Sequence, residues 1–215
     1  SQSQQLLQLR RRCITTVVII SRTHSPLTPR PGLGGLLDRF AGPGATAAEL
    51  WLQFLPPLGA AIAAPAYALT LPTPPSPLQL SLLALLAFDA VGGVLTNATA
   101  AAKRWYHRPG QTWWQHWGFV ALHVGHLVLI AWVWRGGDWG YVSLVGGYLL
   151  VAALVILRSP LYLQPPLALG LYGLALVGDR YLLTPTPGLE WFLPLLFLKL
   201  LVSHLLQASP TAPTP

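Results

Sequence analysis

Six apolar blocks constrain what this chain can fold into. Proline, glycine or charged residues bound each block, and the blocks cover residues 49–71, 78–102, 113–134, 139–157, 162–183 and 189–206. An α-helix needs about 20 predominantly apolar residues to cross the hydrocarbon core of a bilayer. Each block is close to that length. The sequence therefore predicts an all-α fold, a polytopic membrane bundle of about six transmembrane helices.

The composition argues against a soluble or nucleic-acid-binding protein. Only 9% of the residues are charged, whereas soluble domains carry about 25%. The mean hydropathy is positive, at +0.52. The net charge of +7 is compatible with nucleic-acid binding, but the basic residues form short clusters between the apolar blocks rather than one basic face. We predict a lipid bilayer as the partner, and no nucleic acid.

The blocks divide the chain into three parts. Residues 1–48 form a basic segment that is predicted to be poorly ordered, residues 49–206 form the six-helix transmembrane domain, and residues 207–215 form a disordered tail. Lysine and arginine favour the cytoplasmic side of a membrane. If the N-terminus is cytoplasmic, only Arg135 and Arg180 fall on the opposite side. Both termini are therefore predicted to be cytoplasmic.

Two stretches resemble a family of bacterial multi-pass membrane proteins that has no assigned activity. They are "FDAVGGVLTNATAAAKRWYHRPG", residues 88–110, and "GLEWFLPLLFLKLLVSHLL", residues 188–206. The resemblance extends over about residues 49–206, and it implies a location in the bacterial inner membrane. It implies no catalytic residue, substrate or cofactor.

Several ionisable residues lie inside the apolar blocks, where they are costly and normally face other helices or a cavity. The candidates for a site are Asp89, His116, His123, His126, Lys199 and His204, and Asn97 is a neutral polar neighbour. At 100° per residue, the three histidines of the third block share one side of their helix. If the second and third helices pack as antiparallel neighbours, Asp89 lies level with His123 and His126. We predict that these three side chains meet inside the membrane.

Three interpretations of this meeting point stay open. The first is an interhelical Asp–His hydrogen bond that fixes the register of the helices. The second is a transition-metal site with Asp89, His123 and His126 as ligands and an open coordination position. The third is a proton-coupled or small-solute pathway in which Asn97 and Lys199 take part.

Further expectations concern single residues near this point. A haem held between His116 and His204 is a variant of the cofactor interpretation. For Lys199, we favour a side chain that extends to the membrane surface. Gly93 is expected to let the third helix approach Asp89 closely. Gly118 and Gly125, opposite the histidines, are expected to pack against other helices, which would make the third helix central.

The loop at residues 103–110, "KRWYHRPG", carries basic and aromatic residues at a predicted membrane interface. We predict that Lys103, Arg104, His107 and Arg108 bind anionic lipid headgroups. The sequence contains no GxSxG motif and no phosphate-binding loop, so it indicates no enzyme class. It predicts an integral membrane protein of unassigned activity with an intramembrane Asp/His site, and a structural subunit of a membrane complex is a further alternative.

Overall fold

The computed structural model describes residues 28–207 of the chain. Within that range every regular element is helical, which confirms the all-α prediction. Five helices are long and apolar enough to cross a membrane: Ala47–Ala68, Pro77–Ala98, Trp113–Trp134, Trp139–Arg158 and Leu161–Leu182. These helices fit a multi-pass membrane protein. The basic residues at positions 10–12 and 22, and the predicted tail beyond residue 207, lie outside the described residues.

The α-helices are numbered in chain order. They are α1 Gly32–Ala41, α2 Ala47–Ala68, α3 Pro77–Ala98, α4 Ala100–Tyr106, α5 Trp113–Leu122, α6 Val124–Trp134, α7 Trp139–Arg158, α8 Gln164–Leu182 and α9 Phe192–Phe197. A 3-10 turn at Leu161–Leu163 precedes α8, and a π-helical segment at Leu198–His204 follows α9. Together, α5 and α6 form the third span, which is interrupted at His123.

The first two spans begin with local capping signals in the sequence. Thr46 and Glu49 form a reciprocal capping box at the start of α2, and Ser76 and Gln79 form another at the start of α3. The two spans pack against each other along their length. Gly92 of α3 makes room for this packing, because a Cβ atom there would lie 3.3 Å from a side-chain carbon of Pro57.

The sixth apolar block forms a shorter helix than expected. It contains six residues in α9 and seven in the π-helical segment. At 1.5 Å per residue this corresponds to about 20 Å, whereas the hydrocarbon core is about 30 Å thick. The first residues of the block form turns after Gly188 instead of helix. Among the described residues, five helices are therefore long enough to span, and the sixth block forms a shorter apolar helix, so a sixth span stays a prediction.

The packing around the third span differs from the prediction. In the structure α3 packs closely against the π-helical segment, whereas α5 and α6 pack against α7. Among the described residues, no atom lies within 4 Å of the position that a Cβ atom would take on Gly118 or Gly125. Both glycines therefore face away from the other helices, and the expectation that the third span is central and packed on both sides is wrong.

Within the basic N-terminal part, α1 is a helix that the composition did not indicate. Asp38 of α1 accepts hydrogen bonds from the guanidinium group of Arg30, at 2.7 and 2.9 Å. The carboxylate also accepts from the backbone N–H of Arg30, at 2.8 Å. These contacts fold the chain back at the start of α1 and fix the helix to the residues that precede it.

Candidate functional site

The shortest polar contact at mid-span joins Asp89 of α3 to Lys199 of the π-helical segment. The Lys199 Nζ atom donates to Asp89 Oδ2 at 2.7 Å. The Lys199 side chain is only 3% exposed, whereas that of Asp89 is 41% exposed. Our expectation that Lys199 extends to the membrane surface is therefore wrong. The nearby carboxylate of Asp89 attracts the ammonium group more strongly than a distant interface can.

Gly93 explains how a lysine fits at this position. A Cβ atom on Gly93 would overlap the Cδ and Cε atoms of Lys199. Gly93 lies one helical turn from Asp89, so the aliphatic part of the lysine crosses α3 at the glycine and places its nitrogen on the carboxylate. We expected Gly93 to admit the third span. The structure shows that it admits the side chain of Lys199 instead.

The two histidines of the cluster lie where the third span is interrupted. The backbone N–H of His123 donates to Val120 O at 3.0 Å, a tighter turn than the regular α-helical pattern. The Nδ1 atom of His123 is 2.8 Å from Phe119 O. Because a carbonyl oxygen can only accept, this nitrogen carries the proton. The Nε2 atom of His123 is therefore left with a lone pair for a metal ion or a proton.

Asp89, His123 and His126 meet as the sequence predicted. Each offers one ligand atom, and these atoms all lie within 4.8 Å of one another. The distance from His126 Nε2 to Asp89 Oδ2 is 3.5 Å. This distance is too long for a hydrogen bond. The contact that links helices here is the Lys199–Asp89 ion pair, so the predicted Asp–His hydrogen bond between the second and third spans is not formed.

The residue types and their spacing fit a divalent transition metal. Two imidazoles and one carboxylate leave coordination positions open in zinc sites and in non-haem iron sites. With bonds of about 2.0–2.2 Å, a tetrahedral ion holds its ligand atoms about 3.3–3.6 Å apart. Small rotations of the side chains bring a set already within 4.8 Å to that separation. The hydrogen bond from His123 Nδ1 to a backbone carbonyl is the usual outer support of a metal-binding histidine.

The remaining predicted site residues form a second cluster nearer the end of the bundle that carries α4. His116 Nδ1 and His204 Nε2 are 3.3 Å apart, and His204 Nδ1 is 3.4 Å from Asn97 Oδ1. Asn97 therefore belongs with His204 rather than with Asp89. The ring of Phe119 stacks on the ring of His204, with centroids 4.1 Å apart, and it lies between the second cluster and His123.

The position of His204 does not suit a haem shared with His116. A haem must lie between its two axial ligands, and here the two rings are in direct contact. The ring of His107 stacks on the other side of His116, with centroids 4.4 Å apart. The rings of His107 and Phe119 thus pack on this pair, and a macrocycle would have to separate α5 from the π-helical segment.

Two of the four predicted headgroup ligands act inside the protein. Lys103 Nζ donates to Ser203 O at 2.9 Å and also to Leu206 O. His107 Nε2 is 2.9 Å from His204 O. These side chains satisfy carbonyl groups that a helix C-terminus leaves without partners. We therefore correct the assignment of Lys103 and His107, while headgroup binding by Arg104 and Arg108 stays a prediction.

The environment of His107 keeps its ring neutral. Burial, and to a smaller extent the neighbouring His116, lower the pKa of His107 from 6.5 to about 4. A cavity of about 350 Å³ lies beside this ring and is lined by polar groups that include His116 and Gln164. His107 therefore connects the second cluster to a polar space at the end of the bundle.

The sequence did not indicate that Lys199 and His204 face the same side of the bundle. Five residues apart, they would diverge by about 140° on an α-helix. The π-helical turn closes with the N–H of Leu205 bonded to Leu200 O, five residues earlier, at 3.2 Å. This wider turn brings residues five apart close to one face, so Lys199 reaches Asp89 while His204 reaches His116. The only signal in the sequence for this shared orientation was that both residues are polar and lie within an apolar block.

Comparisons with protein families, with curated proteins and with solved structures found no match to this chain. The resemblance in residues 88–110 and 188–206 is therefore not supported by a detected relative. The functional argument depends on the geometry of the two clusters alone.

Proposed function

We propose that the protein is an integral membrane protein of the bacterial inner membrane, with both termini in the cytoplasm, that binds a divalent transition metal inside the bilayer. Asp89, His123 and His126 would be the ligands, and zinc or ferrous iron is the metal class that suits them. The single observation that supports this most is that the three ligand atoms lie within 4.8 Å of one another.

The exposure of Asp89 indicates how the site is reached. Asp89 lies near the middle of α3, and 41% of its side chain is exposed. Lys199 and His123, by contrast, are buried. The accessible carboxylate supports an open side of the cluster at the level of the acyl chains. We infer that any ligand of the metal would approach from within the membrane.

Metal binding by matched variants tests the proposal. Purified protein is incubated with Zn²⁺, or with Fe²⁺ without oxygen, and loosely bound metal is removed before elemental analysis. We expect about one ion per chain for the wild type, and a large loss for Asp89→Asn and for His123→Gln. His116→Phe, in the second cluster, is the control and should keep its metal. Equal metal content in all four proteins, or none in the wild type, would contradict the proposal.

A proton-coupled pathway is the second candidate, and the Lys199–Asp89 ion pair favours it. A paired ammonium and carboxylate at mid-span are typical of transport pathways, and a metal site does not require the lysine. In this alternative, Asp89→Asn and Lys199→Met would each abolish proton-coupled uptake in sealed vesicles. His126 would take part, since its Nε2 atom is 3.5 Å from the same carboxylate oxygen.

Lys199→Met separates the two candidates. Under the metal proposal, the ammonium group competes with a divalent cation for Asp89 Oδ2, and two positive charges a few ångströms apart repel each other. Removing it should tighten Zn²⁺ binding by about ten-fold or more, because about 1.4 kcal/mol corresponds to a factor of ten. Competition with a chromophoric chelator measures this. Unchanged or weaker Zn²⁺ binding, together with lost uptake, would favour the pathway.

A further inference from the structure

The short helix α1 is held firmly at one end of the bundle. The indole N–H of Trp105 donates to Arg39 O at 3.0 Å, and the hydroxyl group of Tyr106 donates to Phe40 O at 2.8 Å. Gly42, which follows α1, has a φ angle of +90°. A Cβ atom there would overlap the backbone of Ala101. α1 is therefore packed against α4 at a fixed position.

The two sides of α1 differ in character. Gly35, Asp38 and Ala41 face the protein and are buried. On the other side, Leu33 is 85%, Leu36 61% and Phe40 44% exposed. At 100° per residue, these three apolar side chains lie within about 60° of one another and roughly opposite Asp38. The helix therefore presents a narrow apolar face away from the protein.

This apolar face continues the surface of the first span. The ring of Phe40 lies beside that of Phe54 in α2, with centroids 5.8 Å apart. Trp51 and Leu55, also in α2, are exposed on the outside of the bundle. A tryptophan at the end of a span is typical of the headgroup layer. The exposed face of α1 thus lies at the depth where acyl chains meet headgroups.

The charges around α1 are basic on balance, and Glu49 of α2 is the acidic neighbour of Arg104. Arg30 is paired with Asp38, so those two charges cancel locally. Arg39 is exposed on the flank of α1, about 90° from the apolar face. Arg104, on the adjacent α4, is exposed as well. Helices with an apolar face and flanking arginines bind at the surface of anionic membranes.

We propose that α1 is an interfacial helix that lies in the headgroup layer of the same membrane. Leu33, Leu36 and Phe40 insert among the upper parts of the acyl chains, and Arg39 and Arg104 bind the phosphate groups of anionic phospholipids. This surface is separate from the metal centre and does not depend on it.

Fluorescence quenching in vesicles tests where the two flanks of α1 lie. In a Cys13→Ser background, Leu36→Cys and Arg39→Cys each carry one fluorescent label and are reconstituted into phosphatidylcholine vesicles that contain phosphatidylglycerol. We expect lipids brominated near the headgroup to quench the label at position 36 and aqueous iodide to leave it unquenched. The label at position 39, on the same helix, should be quenched by iodide. If iodide quenches both labels equally, or if neither quencher reaches position 36, the proposal is wrong.

The contribution of the arginines needs its own measurement. We expect the amount of phosphatidylglycerol bound per chain, relative to phosphatidylcholine, to fall about five-fold for each arginine removed in Arg39→Gln and Arg104→Gln. Arg180→Gln, which lies on the far side of the predicted topology, should leave the ratio unchanged. High salt should reduce the preference of the wild type. An unchanged ratio in the double variant would contradict the role of the arginines.

Discussion

The two polar clusters both lie within an apolar helical bundle, but they differ in the charge of their side chains and in how their polar atoms are paired. The cluster around Asp89 contains a carboxylate and an ammonium group, and it leaves ring nitrogens available. The cluster around His204 is built from imidazole rings and an amide, and its members bond or stack with one another. Buried polar groups that are hydrogen-bonded to one another stabilise a structure. Ionisable groups whose lone pairs or protons are not fully paired are typical of functional sites. This contrast supports the proposal that the first cluster carries the chemistry and that the second positions helices.

Removing the carboxylate should have the largest effect on stability. Asp89→Asn leaves the buried ammonium group of Lys199 without a counter-ion. Loss of one partner of a buried ion pair costs about 3–5 kcal/mol, and we expect about 3 kcal/mol because Asp89 is 41% exposed. Denaturant unfolding in detergent measures the free energy. Asp138→Asn is the control and should cost less, because its partner Arg135, although only 11% exposed, keeps its hydrogen bonds to Thr184 O and Thr186 Oγ1. Equal losses in both variants would contradict the distinction.

The pH dependence of the free energy of unfolding should report on His107, beside the second cluster. The pKa of His107 is lowered to about 4, while the unfolded chain binds a proton near pH 6.5. As the pH falls from about 6.5 to about 4, the unfolded state gains protons that the folded state refuses. His107 therefore lowers the free energy of unfolding by up to about 1.4 kcal/mol per pH unit in this window, and not above it.

The variant His107→Gln checks this pH dependence. It keeps a donor for His204 O but cannot take up a proton. We expect its free energy of unfolding to fall less steeply than that of the wild type between about pH 6.5 and about pH 4, with similar slopes above that window. Identical slopes throughout would mean that His107 takes up a proton as readily in the folded protein as in the unfolded chain, which would contradict the lowered pKa.

One added methyl group should distinguish the packed face of α3 at Gly93 from the open face of α6 at Gly125. Gly93→Ala places a Cβ atom where the aliphatic part of Lys199 lies. We therefore expect the free energy of unfolding to fall by about 1 kcal/mol and the contact between Lys199 and Asp89 to weaken. Gly125→Ala adds the same group where no described atom lies within 4 Å, and we expect no loss. Thermal unfolding of both variants is the measurement. A loss in Gly125→Ala alone would reverse the assignment of packed and open faces.

Much of the fold could be predicted because hydrophobic length and capping signals are local. The long spans and the proximity of Asp89 to His126 both follow from block boundaries and helical rise. Lys199 was a candidate partner of Asp89 only in the pathway interpretation. The favoured direction of its side chain was wrong, because the π-helical turn that carries Lys199 breaks the 100° periodicity on which such reasoning depends. α1 was missed for a similar reason. Its stability comes from contacts between Arg39, Phe40 and the distant α4, which no local pattern encodes.

The π-helical segment has a consequence for how the two clusters can behave. Its enlarged turn is fastened at one end by the contact between Lys199 and Asp89 and at the other by the contacts of His204. An ordinary α-helix would rotate these two side chains away from each other. Loss of either contact therefore favours the tighter α-helical turn, which would rotate the side chain at the other end of the segment away from its partner. We therefore expect the two clusters to be coupled, so that displacing the Lys199 ammonium group from Asp89 shifts the ring of His204 relative to His116.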